Sequence, residues 1–362
     1  MLEKFKHWLQ DNYDRALPWL VLIVGLPFAY AIWSNEKANI ELDQQLRFEY
    51  KTKEARDLIL YDLDLYEQAL YGVQSFFRAS DFVAEDEFNL YADGILGRDQ
   101  YHGIQEVSFV KYIDIQAPET YQPFVQNIAE FTQQHAVNAA TRELAPKVYV
   151  VPSNPSELYA NQFESPQVKS WLIKAAEKHT PGLYTPMVGS HPNPATNRFV
   201  IYLPIYANGW VNDGVRPQRH QMYGWVTASV DASEFFASAL APILKQPLAY
   251  TIYNGNMVDG HQLVYDSLQR KKGFQHQPSR FEKHIAIGVL GHEWMLTVHS
   301  LEAFDSSIDY SRANTLGFLS LLATLALAGI LFFMVDRLRT SALMQNVNRR
   351  LTLSEQRWQF AL

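Results

Sequence analysis

Two uncharged apolar stretches bracket the chain. The first reads ALPWLVLIVGLPFAYAIW from Ala16 to Trp33, and the second LGFLSLLATLALAGILFFMV from Leu316 to Val335. A helix rises about 1.5 Å per residue, so each is long enough to cross a hydrocarbon core of roughly 30 Å. A cleaved signal peptide is the rival reading of the first, because Ala29-Tyr30-Ala31 has the small-x-small form of a cleavage site. The length of the run and the bulky Trp33 close behind it favour an uncleaved anchor. A buried core helix is the rival for the second, and an uncharged run of that length argues against it.

Between the spans the pattern changes. From Asn35 to Phe77 there is no proline and one glycine, and Ile59, Leu63, Tyr66, Leu70, Val73 and Phe77 recur in steps of four and three. That is one apolar helical stripe, preceded by a charged stretch in which Leu42, Leu46 and Tyr50 suggest a solvated stalk. Ser80 or Asp81 is expected to cap a further helix whose first turns carry Glu85, Asp86 and Glu87, where the helix dipole favours negative charge. Strand-like runs follow at Gln105–Ile113, Lys147–Val151, Phe199–Tyr206 and Tyr223–Val230, and Ser165–Lys178 is an amphipathic helix. After Pro247 come four more strand-like runs: Ala249–Tyr253, His261–Tyr265, His284–Val289 and Glu293–Val298. The turn Asn254-Gly255-Asn256 makes a hairpin of the first two.

The expected class is therefore α+β, with two transmembrane helices flanking an extracytoplasmic stalk helix and two α/β lobes. The expected segments are a cytoplasmic N-terminus (1–15), a first transmembrane helix (16–33), the stalk (34–79), a distal lobe (80–246) and a membrane-proximal lobe (247–312). A second transmembrane helix (313–335) and a cytoplasmic helix (336–362) complete the chain.

Charge sets the expected orientation. Lys4, Lys6 and Arg15 precede the first span, and Arg337, Arg339, Arg349, Arg350 and Arg357 follow the second. Acidic residues dominate the inner flanks. Lysine and arginine stay on the cytoplasmic side, so both termini read as cytoplasmic and the middle as external, in the periplasm or outside the cell, on a multi-pass inner-membrane protein. There is no cysteine, which excludes disulfides, thiolate metal sites and cysteine nucleophiles. A net charge of −7 argues against a nucleic-acid partner, and the 14% of aromatic residues could line a pocket or simply fill a core.

The chemistry of an external enzyme is missing. There is no glycine-rich phosphate loop and no G-x-S-x-G elbow. His292-Glu293 opens like a zinc-protease helix, but Leu296 stands where the second histidine belongs. His276, His284, His292 and His299 are spread over different elements, and Asp62 and Asp64 diverge on a helix. No catalytic residue, metal site or cofactor is expected. Past the second span, Met344, Val347, Leu351 and Trp358 keep a three-four rhythm. That suits a helix pairing with its copy in a homodimer, or one lying on membrane lipid.

Several stretches resemble the CHASE family of extracellular sensor domains, known from bacterial sensor kinases, cyclic-dinucleotide enzymes and plant cytokinin receptors. VQSFFRASDFVAEDEF (73–88) looks like the family's helix-turn-helix, PKVYVV (146–151) its hydrophobic strand, and the helix from Ser165 running into TPGLYTPM its threonine-proline strand. FVIYLPIYAN (199–208) looks like its proline-tyrosine strand. The resemblance covers roughly Arg56 to Val230 and implies two PAS-like lobes, the distal one holding a small ligand. Carried over residue by residue, it implies pocket positions at Tyr149, Val151, Leu183, Tyr184, Thr185 and Tyr202. The plant members' pocket aspartate has no counterpart in Val151-Pro152-Ser153, and Tyr202 stands where they have threonine, which argues against cytokinin as the ligand. SEQRWQFAL (354–362) resembles the opening of a PAS domain, implying an output module further on, a histidine kinase or diguanylate cyclase. The expected function is an extracytoplasmic small-molecule sensor that signals through the second span. The alternative is a module that binds a periplasmic protein partner or reports membrane stress without a small ligand.

Overall fold

A computed structural model describes residues 2–115, 124, 143–185, 197–206, 222–258, 262–268 and 279–359. The chain divides into two compact units, residues 1–47 with 306–362, and Phe48–Asp305.

The first unit is a pair of helices. Helix α1 (Leu2–Ala79) begins here and continues into the second unit, with Pro18 and Pro27 inside it. Both α1 and the last helix, α6 (Ser311–Gln359), carry a stretch apolar enough to cross a membrane. Ile23, Phe28, Phe318 and Phe332 are all more than 60% exposed, as lipid-facing side chains would be. The two helices touch where side chains are small. A Cβ on Gly25 would lie 2.3 Å from Thr324 Cγ2, and one on Gly317 would lie 2.9 Å from the Trp33 ring. Small residues at such crossings let backbones approach closely, and the van der Waals packing this allows is one source of helix affinity in lipid. Polar contacts then run along the same register. Trp33 Nε1 donates to Asn314 Oδ1 (3.0 Å), Glu36 pairs with Arg312 (2.9 Å), and the Tyr310 hydroxyl donates to Glu41 (3.1 Å).

The second unit is built on the rest of α1. Its buried face takes in Phe48, Thr52, Ala55, Ile59, Leu63, Tyr66, Leu70, Val73 and Phe77. The stripe therefore starts about three turns before Ile59, within the stretch expected to be solvated, while Leu42, Leu46 and Tyr50 are exposed as expected. Helix α2 (Glu85–Leu96) follows, and its start corrects the expected cap. Ala84 holds the cap position, and the Glu87 carboxylate accepts from the Ala84 N–H (3.0 Å) in place of a Ser80 or Asp81 side chain.

The first lobe is a five-stranded antiparallel sheet in the order β4-β1-β7-β6-β5, made of β1 (Ile104–Lys111), β4 (Lys147–Val151), β5 (Gly182–Tyr184), β6 (Arg198–Tyr206) and β7 (Met222–Asp231). Strands β2 (Ile113–Asp114) and β3 (Glu143–Leu144) form a small separate ladder. Helix α3 (Pro166–Lys178) starts at Ser165, whose hydroxyl accepts from Val168 N, and covers one face of the sheet. Helix α4 (Ala232–Ala239) leads to the second lobe, a four-stranded sheet in the order β10-β11-β8-β9. Its strands are β8 (Leu248–Asn254), β9 (Leu263–Asp266), β10 (Glu282–Val289) and β11 (His292–Ser300). The short helix α5 (Glu302–Asp305) follows. The expected strands match in place and order; His261 and His276 lie outside the described residues. Strands β8 and β9 pair antiparallel, and Gly255, just past the end of β8, lies at φ +90°, a conformation that glycine adopts without steric cost.

The two lobes share one continuous core. Phe48 stacks on Phe281 of the second lobe, and Phe77 packs 4.4 Å from Phe109 of the first, measured between ring centroids. The tip of the β10–β11 hairpin, Leu290-Gly291, has both residues at positive φ and docks on the edge strand β5, where Leu183 N–H donates to the Leu290 carbonyl (3.1 Å).

The helix pair offers a direct test. An ideal Cβ at Gly25 lies 3.2 Å from Thr324 Cβ, near the roughly 3.5–4.5 Å of a disulfide. With no native cysteine to compete, a Gly25→Cys/Thr324→Cys chain is expected to form an intramolecular disulfide in oxidised membranes. A mobility that stays unchanged on gels would contradict this pairing.

Candidate ligand-binding lobe

Strand parity sorts the first sheet into two buried faces. In register, Tyr149, Phe109, Val226 and Leu203 lie in one row, and Val151, Val107, Ala228, Ile201 and Leu183 in the next. These point to the same side and share their core cluster with the α1 stripe. The intervening rows carry Ser108, Thr227, Tyr202 and Gly182, with Val110 and Trp225 beside them. They face α3: Trp225 Nε1 donates to the Leu172 carbonyl (3.0 Å), and the Tyr206 hydroxyl donates to the Ala176 carbonyl (2.6 Å).

The six positions implied by the resemblance therefore divide. Tyr149, Val151 and Leu183 lie on the α1 side, and Tyr184 and Tyr202 on the α3 side. Thr185, just past β5, accepts from Trp294 Nε1 (3.3 Å) and so joins the lobes. Tyr149 is a packed core residue with a satisfied phenol. Its ring lies against Phe88, Phe109 and Phe124, and its hydroxyl donates to the Val83 carbonyl (2.8 Å), tying β4 to the chain just before α2. The Tyr184 hydroxyl donates to Gln167 on α3 (3.0 Å).

Tyr202 differs. It is 3% exposed, and among the described residues its hydroxyl has no hydrogen-bond partner. Burial raises its pKa, and so do the neighbouring Tyr184 and Glu106, so it remains a neutral phenol. Beside it the hydroxyls of Ser108 and Thr227 share a buried 2.6 Å hydrogen bond. The α3 side of the sheet thus carries a short polar row within an otherwise apolar layer. Such convergent polar groups on an apolar wall are what small-molecule sites need.

One group escaped the sequence reading. Lys111, at the end of β1, is 2% exposed. Its ammonium lies 3.7 Å from the centroid of the Tyr223 ring and 5.3 Å from that of Phe124. The signal was available, because Val107, Phe109 and Lys111 alternate along one strand and the first two face the core. The other largely buried lysine of this lobe, Lys147, is paired at 2.8 Å with both Glu106 and Glu157.

Among the described residues, two clefts open outside the sheet. One of about 720 Å³ is lined by Gly72, Phe76, Leu90, Tyr91 and Arg98, and one of about 340 Å³ by Glu67, Tyr71, Trp171, Lys174 and Leu290. Neither is lined by any of the six positions. Among the described residues no cluster of three metal-ligating side chains assembles. His292, whose pKa burial lowers, sits within hydrogen-bond distance of Asn254 (2.6 Å).

Two sheet lobes share one core and lie in the chain between two candidate membrane helices; with the family match, they are the extracellular ligand-binding sensor of a membrane receptor. The chain belongs to the CHASE domain family, whose profile matches residues 81–265, just over half of the sequence. Similar solved structures include the ligand-binding domain of the Pseudomonas aeruginosa PAO1 amino acid chemoreceptor PctC in complex with GABA, at 10% identity and TM-score 0.40, covering 70% of this chain and 98% of that one. The ligand-binding domain of PctB from the same organism, in complex with L-Arg, matches at 10% identity and TM-score 0.39, covering 73% and 97%. An extracellular ligand binding receptor from Desulfohalobium retbaense DSM5692 matches at 13% identity and TM-score 0.39, covering 68% and 38%. No curated protein matches the chain.

Tyr149 and Tyr202 make opposite demands on their hydroxyls. Tyr149→Phe strands the Val83 carbonyl and is expected to cost about 1–3 kcal/mol, whereas Tyr202→Phe removes a hydroxyl with no described partner and is expected to leave the melting temperature nearly unchanged. Equal losses in a thermal unfolding comparison would show that Tyr202 is bonded as tightly as Tyr149.

Proposed function

We propose that this chain is the input module of a transmembrane signalling protein, and that it binds a small molecule within the first lobe. The observation that carries the reading is the match to the CHASE family over residues 81–265, which take in the first lobe and the start of the second, between two apolar helices. The buried polar row of Ser108, Thr227 and Tyr202 supports the choice of lobe. Tyr202 is the position of the six whose polar atom is left for a ligand, with Tyr184 beside it. Tyr149, Val151 and Leu183 act from the other side by holding the sheet against α1, and Thr185 by joining it to the second lobe.

In this reading the first and second lobes are external, both termini are cytoplasmic, and the chain works as a homodimer anchored in membrane lipid. Ligand binding is relayed through α6 to an output domain of the histidine kinase or diguanylate cyclase type, as the PAS-like opening at 354–362 suggests. Binding biases the output only through its different affinity for two states of the sensor. A tenfold preference contributes about 1.4 kcal/mol, and a ligand that binds both states equally shifts nothing.

The test is a metabolite screen on the full chain in nanodiscs, read by thermal unfolding. A cognate ligand at about 100 times its Kd stabilises by about 2.7 kcal/mol. Tyr202→Phe is expected to weaken that ligand's binding while the unliganded melting temperature holds. If every compound that binds does so undiminished in Tyr202→Phe, the assignment to this face is wrong.

A further inference from the structure

Among the described residues Lys111 is a charge without a counter-charge. An ammonium taken out of water costs several kcal/mol unless it is paired, and buried lysines accordingly pair or lose their proton. Lys147, in the same lobe, pairs twice. Lys111, more deeply buried, has ring contacts with Tyr223 and Phe124 and, among the described residues, neither a carboxylate partner nor a hydrogen bond. Burial alone pushes its pKa down to about 7. Nor is the position an accident of loose packing. Lys111 pairs in register with Gly224, where a Cβ would come within 2.3 Å of the Val110 carbonyl and 2.9 Å of the Phe109 ring. The two rings it touches, Tyr223 and Phe124, belong to a cluster in which they pack on each other and on Phe109, and Phe109 on Phe77. The fold thus holds a lysine head against aromatic rings at the end of a core strand.

We propose that Lys111 anchors an anion-binding position in the first lobe, which takes the carboxylate of a small molecule with an apolar body. The ammonium supplies charge-assisted hydrogen bonds on the side away from the rings, and the rings supply apolar walls for the rest of the molecule. A monoanion fits better than a phosphate. One ammonium neutralises one charge, and the described surroundings hold no arginine fork for a second. The position lies on the α1 side of the sheet, opposite Tyr202. It therefore rests on the small-molecule sensor reading but not on the assignment of Tyr202.

The probes are phenylacetate and its neutral isostere phenylacetamide, each at about 10 mM with the full chain in nanodiscs, enough to fill a site with a Kd near 1 mM. Phenylacetate is expected to raise the melting temperature and phenylacetamide to leave it unchanged. Lys111→Met, which keeps the stem and removes the charge, is expected to weaken phenylacetate binding by at least about tenfold. The wild-type comparison of acid with amide needs no variant, so it decides even if Lys111→Met fails to fold. Equal shifts by acid and amide, no shift by either, or full phenylacetate binding in Lys111→Met would each overturn the anion assignment. A neutral metabolite that stabilises both wild type and Lys111→Met would overturn it while leaving the sensor reading intact.

Discussion

The second unit depends on a single buried stripe. The face of α1 from Phe48 to Phe77 supplies core to both sheets, and neither sheet could bury its inner face without it. Ring contacts fix its two ends, Phe48 on Phe281 and Phe304 of the second lobe region, and Phe77 on Phe109 of the first. In the middle, Tyr66 packs against Phe235 and Tyr101, and its hydroxyl donates to the His102 carbonyl. A helix tied in this way cannot slide by a residue without turning the stripe out of both lobes, since a one-residue shift rotates each position by about 100°. That constraint makes the two lobes one body.

The lobes also meet directly, through the edge strand β5. Its Leu183 N–H is taken by the Leu290 carbonyl at the tip of the β10–β11 hairpin, and Thr185 accepts from the Trp294 indole. Leu290 holds a left-handed backbone, φ +47°, to make that contact, a conformation that costs a non-glycine residue roughly 1–2 kcal/mol. The junction lies next to Tyr184 and one strand from Tyr202. A group bound on the α3 side would therefore press on the strand that carries the contact to the second lobe.

Much of the fold was legible because it rests on periodicity. The three-four rhythm of α1 and the apolar runs of the strands gave element types and order, and Asn254-Gly255 marked its hairpin. Which face a residue occupies was harder. Tyr149 and Tyr202 look alike in sequence, yet they lie on opposite sides because the order β4-β1-β7-β6-β5 and the register set their parity. Long-range pairing of that kind leaves no local trace. The start of α2 was missed because Ala84 has no capping side chain; Glu87 reaches back to its N–H. Lys111 drew no notice in the sequence, because its burial depends on the strands that pair on either side of it.

The central claim is that α1 makes the two lobes a single cooperative core, and hydrogen exchange on the full chain carrying Ile59→Ala tests it most directly. Ile59 is fully buried near the middle of the stripe, and its truncation should cost about 2–5 kcal/mol. The account predicts that amides of β6 and β7 in the first lobe and of β8 and β11 in the second lose protection together, by the same free energy. Loss confined to one lobe would contradict it.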